Sequence, residues 1–196
     1  MKFENPTQFG FSSILECMKG KKIIVGVTGG IAAYKTPLLV RLFVKAGAEV
    51  KVVATDSAFD FVTPLTLSTV SKNPVESEFS DAEGNWNNHV KLGLWADAIV
   101  IAPATANTIA KMANGLCDNL LLATYLSARC QIAIAPAMDL DMLQHPAVQN
   151  NLATVAGFGN HIIEPTEGEL ASGLQGKGRM AEPEDIFEFV RKIVNG

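Results

Sequence analysis

Short, continuous apolar runs alternate along the chain with segments whose apolar residues recur at helical spacing. The apolar runs, each short enough to be one buried strand, cover 22–27, 49–54, 99–104, 131–135 and 161–163. Helices are predicted over 32–46, 105–112, 118–128 and 183–194, with a further one beginning at 145–146. Continuous apolar strands that alternate with helices are typical of a parallel sheet covered on both faces, so the pattern predicts the α/β class.

Three of the predicted strands end in residues that suit a ligand site. Two runs stop at Pro103 and Pro136, and the first run ends in Thr28-Gly29-Gly30. Parallel strands deliver their carboxyl ends to one edge of a sheet, where ligands of open α/β folds bind. A glycine-rich turn also exposes backbone N–H groups to a phosphate. The sequence therefore predicts one ligand site at this edge.

Two segments lack a clear period. Residues 64–88 are polar and interrupted by turn residues, which predicts a long irregular connection that ends just before His89. Residues 167–180 contain four glycines, which predicts a mobile flap over the site with no regular element. Residues 1–20 are interpreted as an N-terminal arm, and residues 21–196 as a single domain.

Composition narrows the possible partners. The chain has 196 residues, 48% of them hydrophobic, which suffices for one sizeable core. Its net charge is −4 and no Lys/Arg cluster occurs, so neither nucleic acid nor membrane is an expected partner. No apolar leader is apparent, which favours a cytoplasmic protein. The three cysteines lack metal-type spacing and are interpreted as buried, reduced side chains, and no metal is expected.

The first turn carries neither the dinucleotide nor the P-loop glycine pattern, so ordinary NAD and ATP sites are disfavoured. Five motifs, in this order, instead resemble the flavin-containing cysteine decarboxylase family. They are the segments 29–35, His89 ahead of 95–97, 103–108, 136–142 and 173–180. The resemblance covers about residues 21–180. It implies a Rossmann-like (flavodoxin-like) three-layer sandwich with a parallel sheet.

The family resemblance also implies FMN at a subunit interface of a homotrimer or a trimer-based assembly. The cofactor-binding residues that it implies are Gly29, Gly30, Ile31, Thr55, Ser57, Pro103, Ala104, Thr105, Asn107, Thr108, Asp118 and Asn119. Those implied for substrate are Asp139, Met142, Ala171, Gly173, Lys177, Arg179 and Met180. Lys177 and Arg179 are cations suited to a substrate phosphate.

Three residues are catalytic candidates. His89 matches the family's base, and a neutral imidazole accepts protons near pH 7. Asp139 stands where the family often has an asparagine that binds the substrate carboxylate, so it must be protonated or turn away, or it simply caps the next helix. Ser172 replaces the flap cysteine that donates a proton in the coenzyme A enzymes, and its hydroxyl is far less acidic than a thiol.

The implied activity is FMN-dependent decarboxylation of 4′-phosphopantothenoylcysteine to 4′-phosphopantetheine in coenzyme A biosynthesis. A phosphopantothenate-cysteine ligase is then an expected partner, either as a separate protein or within a longer chain. Two alternatives remain open: a flavin-binding regulatory or assembly subunit without turnover, and an oxidative decarboxylase of a peptide's C-terminal cysteine. Prenyl transfer to flavin is disfavoured by the glycine-rich segment 168–180.

Overall fold

The computed structural model describes residues 17–80 and 83–195. Six parallel strands form one sheet in the order β3-β2-β1-β4-β5-β6. Their bounds are β1 Lys22–Val27, β2 Glu49–Ala54, β3 Val75–Glu76, β4 Ala98–Ala104, β5 Gln131–Pro136 and β6 His161–Ile162. The chain builds outward from β1 to β3 and then returns to β4 beside β1. The strand order therefore reverses between β1 and β4, and such a reversal opens a crevice at the carboxyl ends of the strands.

Eight α-helices occur in the described ranges, and together with the strands they define the layers. Their bounds are α1 Thr36–Lys45, α2 Pro64–Ser71, α3 His89–Trp95, α4 Ala106–Ala113, α5 Leu120–Ser127, α6 Leu140–Gln144, α7 Pro146–Gly157 and α8 Pro183–Asn195. Two short 3-10 helices, Ile31–Lys35 and Asp56–Asp60, follow the ends of β1 and β2.

The sheet is covered on both faces, because successive strand residues point to opposite sides. Ile23 and Val25 face one apolar cluster with α1, α2 and α8, whereas Ile24 faces a second cluster with α3, α4, α5 and α7. Phe43 of α1 meets Phe187 of α8 at a ring-centroid distance of 5.3 Å in the first cluster. This arrangement confirms the three-layer α/β prediction.

Two predictions about irregular segments are wrong. Within the predicted irregular connection, α2 begins at Pro64 behind the Thr63 N-cap, whose hydroxyl accepts a 3.1 Å bond from the Thr66 amide. The edge strand β3 follows it. Within the predicted flap, β7 (Thr166–Glu169) and β8 (Gln175–Arg179) form an antiparallel hairpin. Backbone pairing holds this hairpin, so its glycines do not prevent regular structure.

The cysteine prediction is wrong for Cys117, which is exposed, while Cys17 and Cys130 are partly buried and all three are free thiols. Of the predicted arm, residues 17–20 are described, and the Met18 side chain is fully buried in the first cluster. The rest of the arm, residues 1–16, lies outside the described residues. No helix in the described ranges is both long enough and apolar enough to span a bilayer.

Candidate active site

Buried threonines tie together the ends of β1 and β4. The Thr28 hydroxyl donates to the Pro103 carbonyl at 2.8 Å and accepts from the Thr105 amide at 3.1 Å. Thr36, at the start of α1, donates to the Ala102 carbonyl at 2.9 Å. Each hydroxyl satisfies a backbone group that the end of a strand leaves unpaired. The crevice between β1 and β4 therefore has a fixed floor.

The glycine turn after β1 lies against the loop that follows β2. A Cβ on Gly29 would stand 2.4 Å from the Ser57 hydroxyl oxygen, so only glycine fits this approach. The Thr55 and Ser57 hydroxyls lie 3.2 Å apart and are hydrogen-bonded. The predicted phosphate loops are thus neighbours, with backbone and hydroxyl groups meeting at one place. This cradle suits the phosphate of a flavin mononucleotide.

The β7–β8 hairpin closes the crevice from the side of β5. The Met138 amide donates to the Gly178 carbonyl at 3.1 Å. A Cβ on Gly178 would stand 2.3 Å from the Met138 carbonyl oxygen, and one on Gly176 would stand 3.0 Å from the Leu140 side chain. The glycines of β8 therefore permit close contact with the segment that follows β5. Packing against this segment is a role that the sequence did not indicate for these glycines.

The crevice forms a cavity of about 720 Å³, a size typical of cofactor sites. Eleven predicted site residues line it, which are Gly29, Gly30, Ile31, Ser57, Thr105, Asn107, Asp139, Met142, Ala171, Arg179 and Met180. Other lining residues were not predicted as site residues, including Tyr34, Lys35, Glu169, Leu170 and Gly178. Lys35 lies in the first family motif, 29–35, and a cationic side chain beside a glycine turn could have indicated an anion-binding residue.

Charged groups of both signs border the cavity. Lys35 and Arg179 are its cations, and Asp139 and Glu169 are its carboxylates. The Lys35 ammonium is 2.7 Å from Glu182, which lies just outside the lining. Asp139 occupies the N-cap position of α6, but its side chain makes no capping hydrogen bond, so its carboxylate is not used by the helix.

Other predicted residues lie outside the lining. Four belong to the loops and elements around it, which are Thr55, Pro103, Ala104 and Thr108. Ser172 and Gly173 lie in the exposed turn of the hairpin, where the Ser172 hydroxyl accepts from the Leu174 amide at 3.5 Å. Asp118 pairs with Lys111, and Asn119 caps α5 through a 3.0 Å bond from the Leu122 amide.

The structure does not bring His89 to the cavity of its own chain. His89 begins α3, and its ring lies edge-on to Phe79 and Trp86, with centroids 6.1 and 5.9 Å away. Its Nδ1 atom is buried and has no hydrogen-bond partner among the described residues. A buried nitrogen without a hydrogen-bond partner lowers the stability of the fold unless another group supplies that partner. Within residues 17–80 and 83–195, no group therefore satisfies the Nδ1 atom of His89.

A second cavity, of about 580 Å³, lies on the other side of α6. The short helix α6 separates the two: Asp139 and Met142 border the first, whereas Leu140 and Leu143 border the second. Lys177 lines this second cavity and pairs with Glu164 at its edge. The structure thus separates Lys177 from Arg179, although both were predicted to bind substrate. No cluster of metal-ligating side chains occurs in residues 17–80 and 83–195.

Comparison with known proteins gives a consistent result. A family model described as Flavoprotein matches residues 12–195. A solved cysteine-to-serine mutant of PPC decarboxylase, complexed with pantothenoylaminoethenethiol, is 34% identical with a TM-score of 0.82, over 90% of this chain and 99% of that one. The solved FMN-dependent cysteine decarboxylase SpaF is 32% identical with a TM-score of 0.79, over 91% of this chain and 97% of that one. These matches confirm the Rossmann-like fold and FMN as the cofactor.

Curated relatives divide between two activities. A cysteine/cysteine sulfinic acid decarboxylase from an unknown prokaryotic organism is 65% identical over 135 residues, which is 68% of this chain and 37% of that protein. The coenzyme A biosynthesis bifunctional protein CoaBC of Bacillus subtilis is 43% identical over 176 residues, which is 89% of this chain and 43% of that protein. The chain thus spans less than half the length of these relatives.

Proposed function

Because this chain belongs to the Flavoprotein family, we propose that it is an FMN-dependent decarboxylase whose substrate is 4′-phosphopantothenoylcysteine. The observation that carries this proposal is the cavity at the β1–β4 reversal, which joins a glycine turn for phosphate to a hairpin that bears Arg179. FMN supplies the redox chemistry that labilises the carboxyl group. The likeness to the PPC decarboxylase structure, over almost the whole of that chain, supports the choice of substrate.

The residues of the cavity divide the ligand between them. We assign the flavin phosphate to the Gly29-Gly30 turn and the Ser57 hydroxyl, because the structure places them side by side. Thr105 and Asn107, at the start of α4, border the same cavity and are assigned to the flavin. Arg179 is assigned to an anionic group of the substrate, since guanidinium binds phosphate and carboxylate through paired hydrogen bonds.

We further propose that His89 acts in the cavity of a neighbouring copy, in a homotrimer. Exposed apolar residues support this arrangement, because one set, Ile31, Tyr34 and Leu38, lies at or beside the cavity. A second set, Trp86, Val90 and Leu94, surrounds His89 on and before α3. Two different apolar patches on one chain suit a head-to-tail contact that closes into a ring.

Free cysteine or cysteine sulfinic acid is the second candidate substrate. Asp139 lines the cavity, where its negative charge would repel an acylated cysteine, whose only charge at that end is negative. A free amino acid also carries an ammonium group, which a carboxylate attracts. The 65% identical relative, named a cysteine/cysteine sulfinic acid decarboxylase, supports this candidate.

The deciding experiment is anaerobic incubation of the FMN-loaded protein with four compounds, followed by mass spectrometry. The compounds are phosphopantothenoylcysteine, free cysteine, cysteine sulfinic acid and a peptide that ends in cysteine. Loss of CO2 alone from phosphopantothenoylcysteine is the expected result. Loss of CO2 and two hydrogens would mean that the reaction stops at the enethiol, with Ser172 unable to complete the reduction.

Turnover of free cysteine or cysteine sulfinic acid alone would favour the second candidate, and turnover of the peptide alone would favour the peptide decarboxylases. Tight FMN binding with no turnover of any of the four would overturn the decarboxylase proposal. In that case a regulatory or assembly role, in which the flavin is bound but not used, would take its place.

A further inference from the structure

One carboxylate oxygen joins the two cations of the cavity. Glu182 Oε1 lies 2.7 Å from Lys35 Nζ and 3.4 Å from Arg179 Nη2. Both cations line the cavity, whereas Glu182 does not. Lys35 ends the 3-10 helix after the glycine turn, and Arg179 ends β8. Glu182 therefore links two walls of the cavity that are about 140 residues apart in sequence.

Both cations keep most of their donors free for a ligand. Lys35 has three N–H donors and Arg179 has five, and within the described residues Glu182 is their one hydrogen-bonded partner. The Lys35 side chain is only 9% exposed. An ammonium with unused donors on a largely buried side chain, beside a guanidinium, attracts an anion, because charges interact more strongly away from bulk water.

We propose that Glu182 is a positioning residue, which holds Lys35 and Arg179 together as one subsite for an anionic group of the ligand. The group is a phosphate or a carboxylate, because these accept hydrogen bonds from both cations at once. Under the assignments above the anion belongs to the substrate, and the experiment below distinguishes it from the flavin phosphate, which has the same chemistry. This assignment deepens the proposed function and rests on it only for the kinetic measurement described below.

Loss of Glu182 has two opposing effects. It removes a negative charge that competes with the ligand for the cations, and it also frees two long side chains that must be ordered again on binding. The Glu182 side chain is 45% exposed, so water screens its competing charge. The ordering of Lys35 and Arg179 is not screened. The second effect therefore dominates, and affinity for the anion falls.

Inorganic phosphate is the probe for the first test. The thermal unfolding midpoint is followed against phosphate concentration at constant ionic strength, for protein with and without FMN. In Glu182→Ala the phosphate concentration that gives half of the stabilisation is expected to rise about tenfold. Glu182→Gln, which keeps an acceptor oxygen, is expected to show a smaller rise.

Glu188→Ala is the matched control. Glu188 is 46% exposed and pairs with Arg191 three residues away, as Glu182 does with Arg179, but it lies on α8 away from the cavity. A phosphate effect seen only without FMN assigns the subsite to the flavin phosphate, and one seen in both forms assigns it to the substrate. Three results would overturn the proposal. Phosphate could fail to stabilise the unsubstituted protein, or the phosphate concentration for half of the stabilisation could be unchanged or lower in Glu182→Ala. That concentration could also rise equally in Glu188→Ala.

The second test separates positioning from a general loss of structure. With a substrate that the unsubstituted protein decarboxylates, a substrate subsite predicts that Glu182→Ala raises KM about tenfold while kcat changes less than about threefold. A fall in kcat at constant KM would contradict a substrate subsite. If no substrate is decarboxylated, the proposed function fails, and the phosphate titration still decides the role of Glu182.

Discussion

The Met138 amide and the Gly178 carbonyl are joined by a 3.1 Å hydrogen bond, which fastens the β7–β8 hairpin to the segment that follows β5. Strand β5 lies in the six-stranded sheet, and the hairpin is a separate two-stranded sheet. The cavity is bounded by both, since Met138 and Gly178 are among its lining residues. This backbone contact therefore helps to set the shape of the cavity, and its contribution can be tested by substitution.

Gly178→Ala is expected to displace the hairpin, because the new Cβ would lie 2.3 Å from the Met138 carbonyl oxygen. We expect a stability loss of about 1–3 kcal/mol, together with weaker substrate binding. Gly157→Ala is the control, since nothing lies within 4 Å of its Cβ position at the end of α7. Urea unfolding and KM measure both variants, and equal behaviour of the two would contradict the role given to Gly178.

Thr28→Val is expected to destabilise the fold by about 1–3 kcal/mol, because it leaves the Pro103 carbonyl and the Thr105 amide without their partner. Thr124→Val is a closely matched control. The Thr124 hydroxyl is also buried but has no hydrogen-bond partner in the described part of the chain, so valine there is expected to be neutral or stabilising. Denaturant unfolding of both variants decides whether Thr28 fixes the floor of the cavity.

His89→Asn is expected to lower turnover by about 10²–10⁴-fold, the usual contribution of a general base, with FMN still bound. Its position outside the cavity of its own chain adds a second expectation. Mixing His89→Asn subunits with subunits inactivated at Arg179 should restore part of the activity, since some interfaces then pair an intact His89 with an intact cavity. Mixtures as inactive as their parents would refute action across an interface.

Asp139→Asn separates the two candidate substrates. Removing the negative charge is expected to lower KM for phosphopantothenoylcysteine about tenfold or more, because a repulsion with its carboxylate disappears. The same change is expected to raise KM for free cysteine, whose ammonium loses its partner. Steady-state KM values for both compounds provide the measurement. A fall in KM for both would show that Asp139 does not recognise an ammonium group.

Alkaline pH is expected to weaken the fold through two partly buried acids. Burial raises the pKa of the Cys130 thiol, and it raises the pKa of the Tyr125 phenol despite the opposing hydrogen bond from Asn160. The unfolded chain therefore loses these protons at lower pH than the folded chain does. The protonated side chains contribute fully to the free energy of unfolding below their pKa values in the unfolded chain, of which the thiol's, about 8.5, is the lower. This contribution is lost as the pH rises through their pKa values in the folded protein.

Urea unfolding between pH 7 and pH 11 measures this loss. Cys130→Ala should reduce the loss of stability at the lower end of this pH range. Cys117→Ala, at an exposed position, should leave the profile of stability against pH unchanged. An identical profile in Cys130→Ala and in the unsubstituted protein would contradict the contribution of the Cys130 thiol.

Five of the six strands could be predicted from the sequence because most of their residues are apolar, and β1 and β2 have the predicted bounds of 22–27 and 49–54. Helix α2 escaped prediction because four of its eight residues are Ser or Thr, which are weak helix formers, and tertiary packing of Leu67 overrides that weakness. The hairpin escaped because its pairing uses backbone groups between glycine-rich segments.

The candidate site was predictable where it depends on strand ends and not where it depends on side-chain direction. Gly29, Thr105 and Asp139 follow strands, and the parallel topology brings them together. Lys177 and Arg179 are two residues apart on β8, a spacing that places side chains on the same side of a regular strand. They border different cavities, because the pairing of β7 with β8 shifts register between Thr166–Arg179 and Glu167–Lys177. No local pattern in the sequence reports such a shift.

Helix α6 has only five residues, yet both cavities depend on it. Leu140 and Leu143 do not border the first cavity, but a change in their size is expected to shift the backbone that carries Asp139 and Met142. Under the proposed function, selection of one cysteine derivative over another is thus open to natural variation at positions outside the lining of the first cavity. A library of variants confined to Leu140 and Leu143 would be a route to an altered substrate range that leaves the residues assigned to the flavin unchanged.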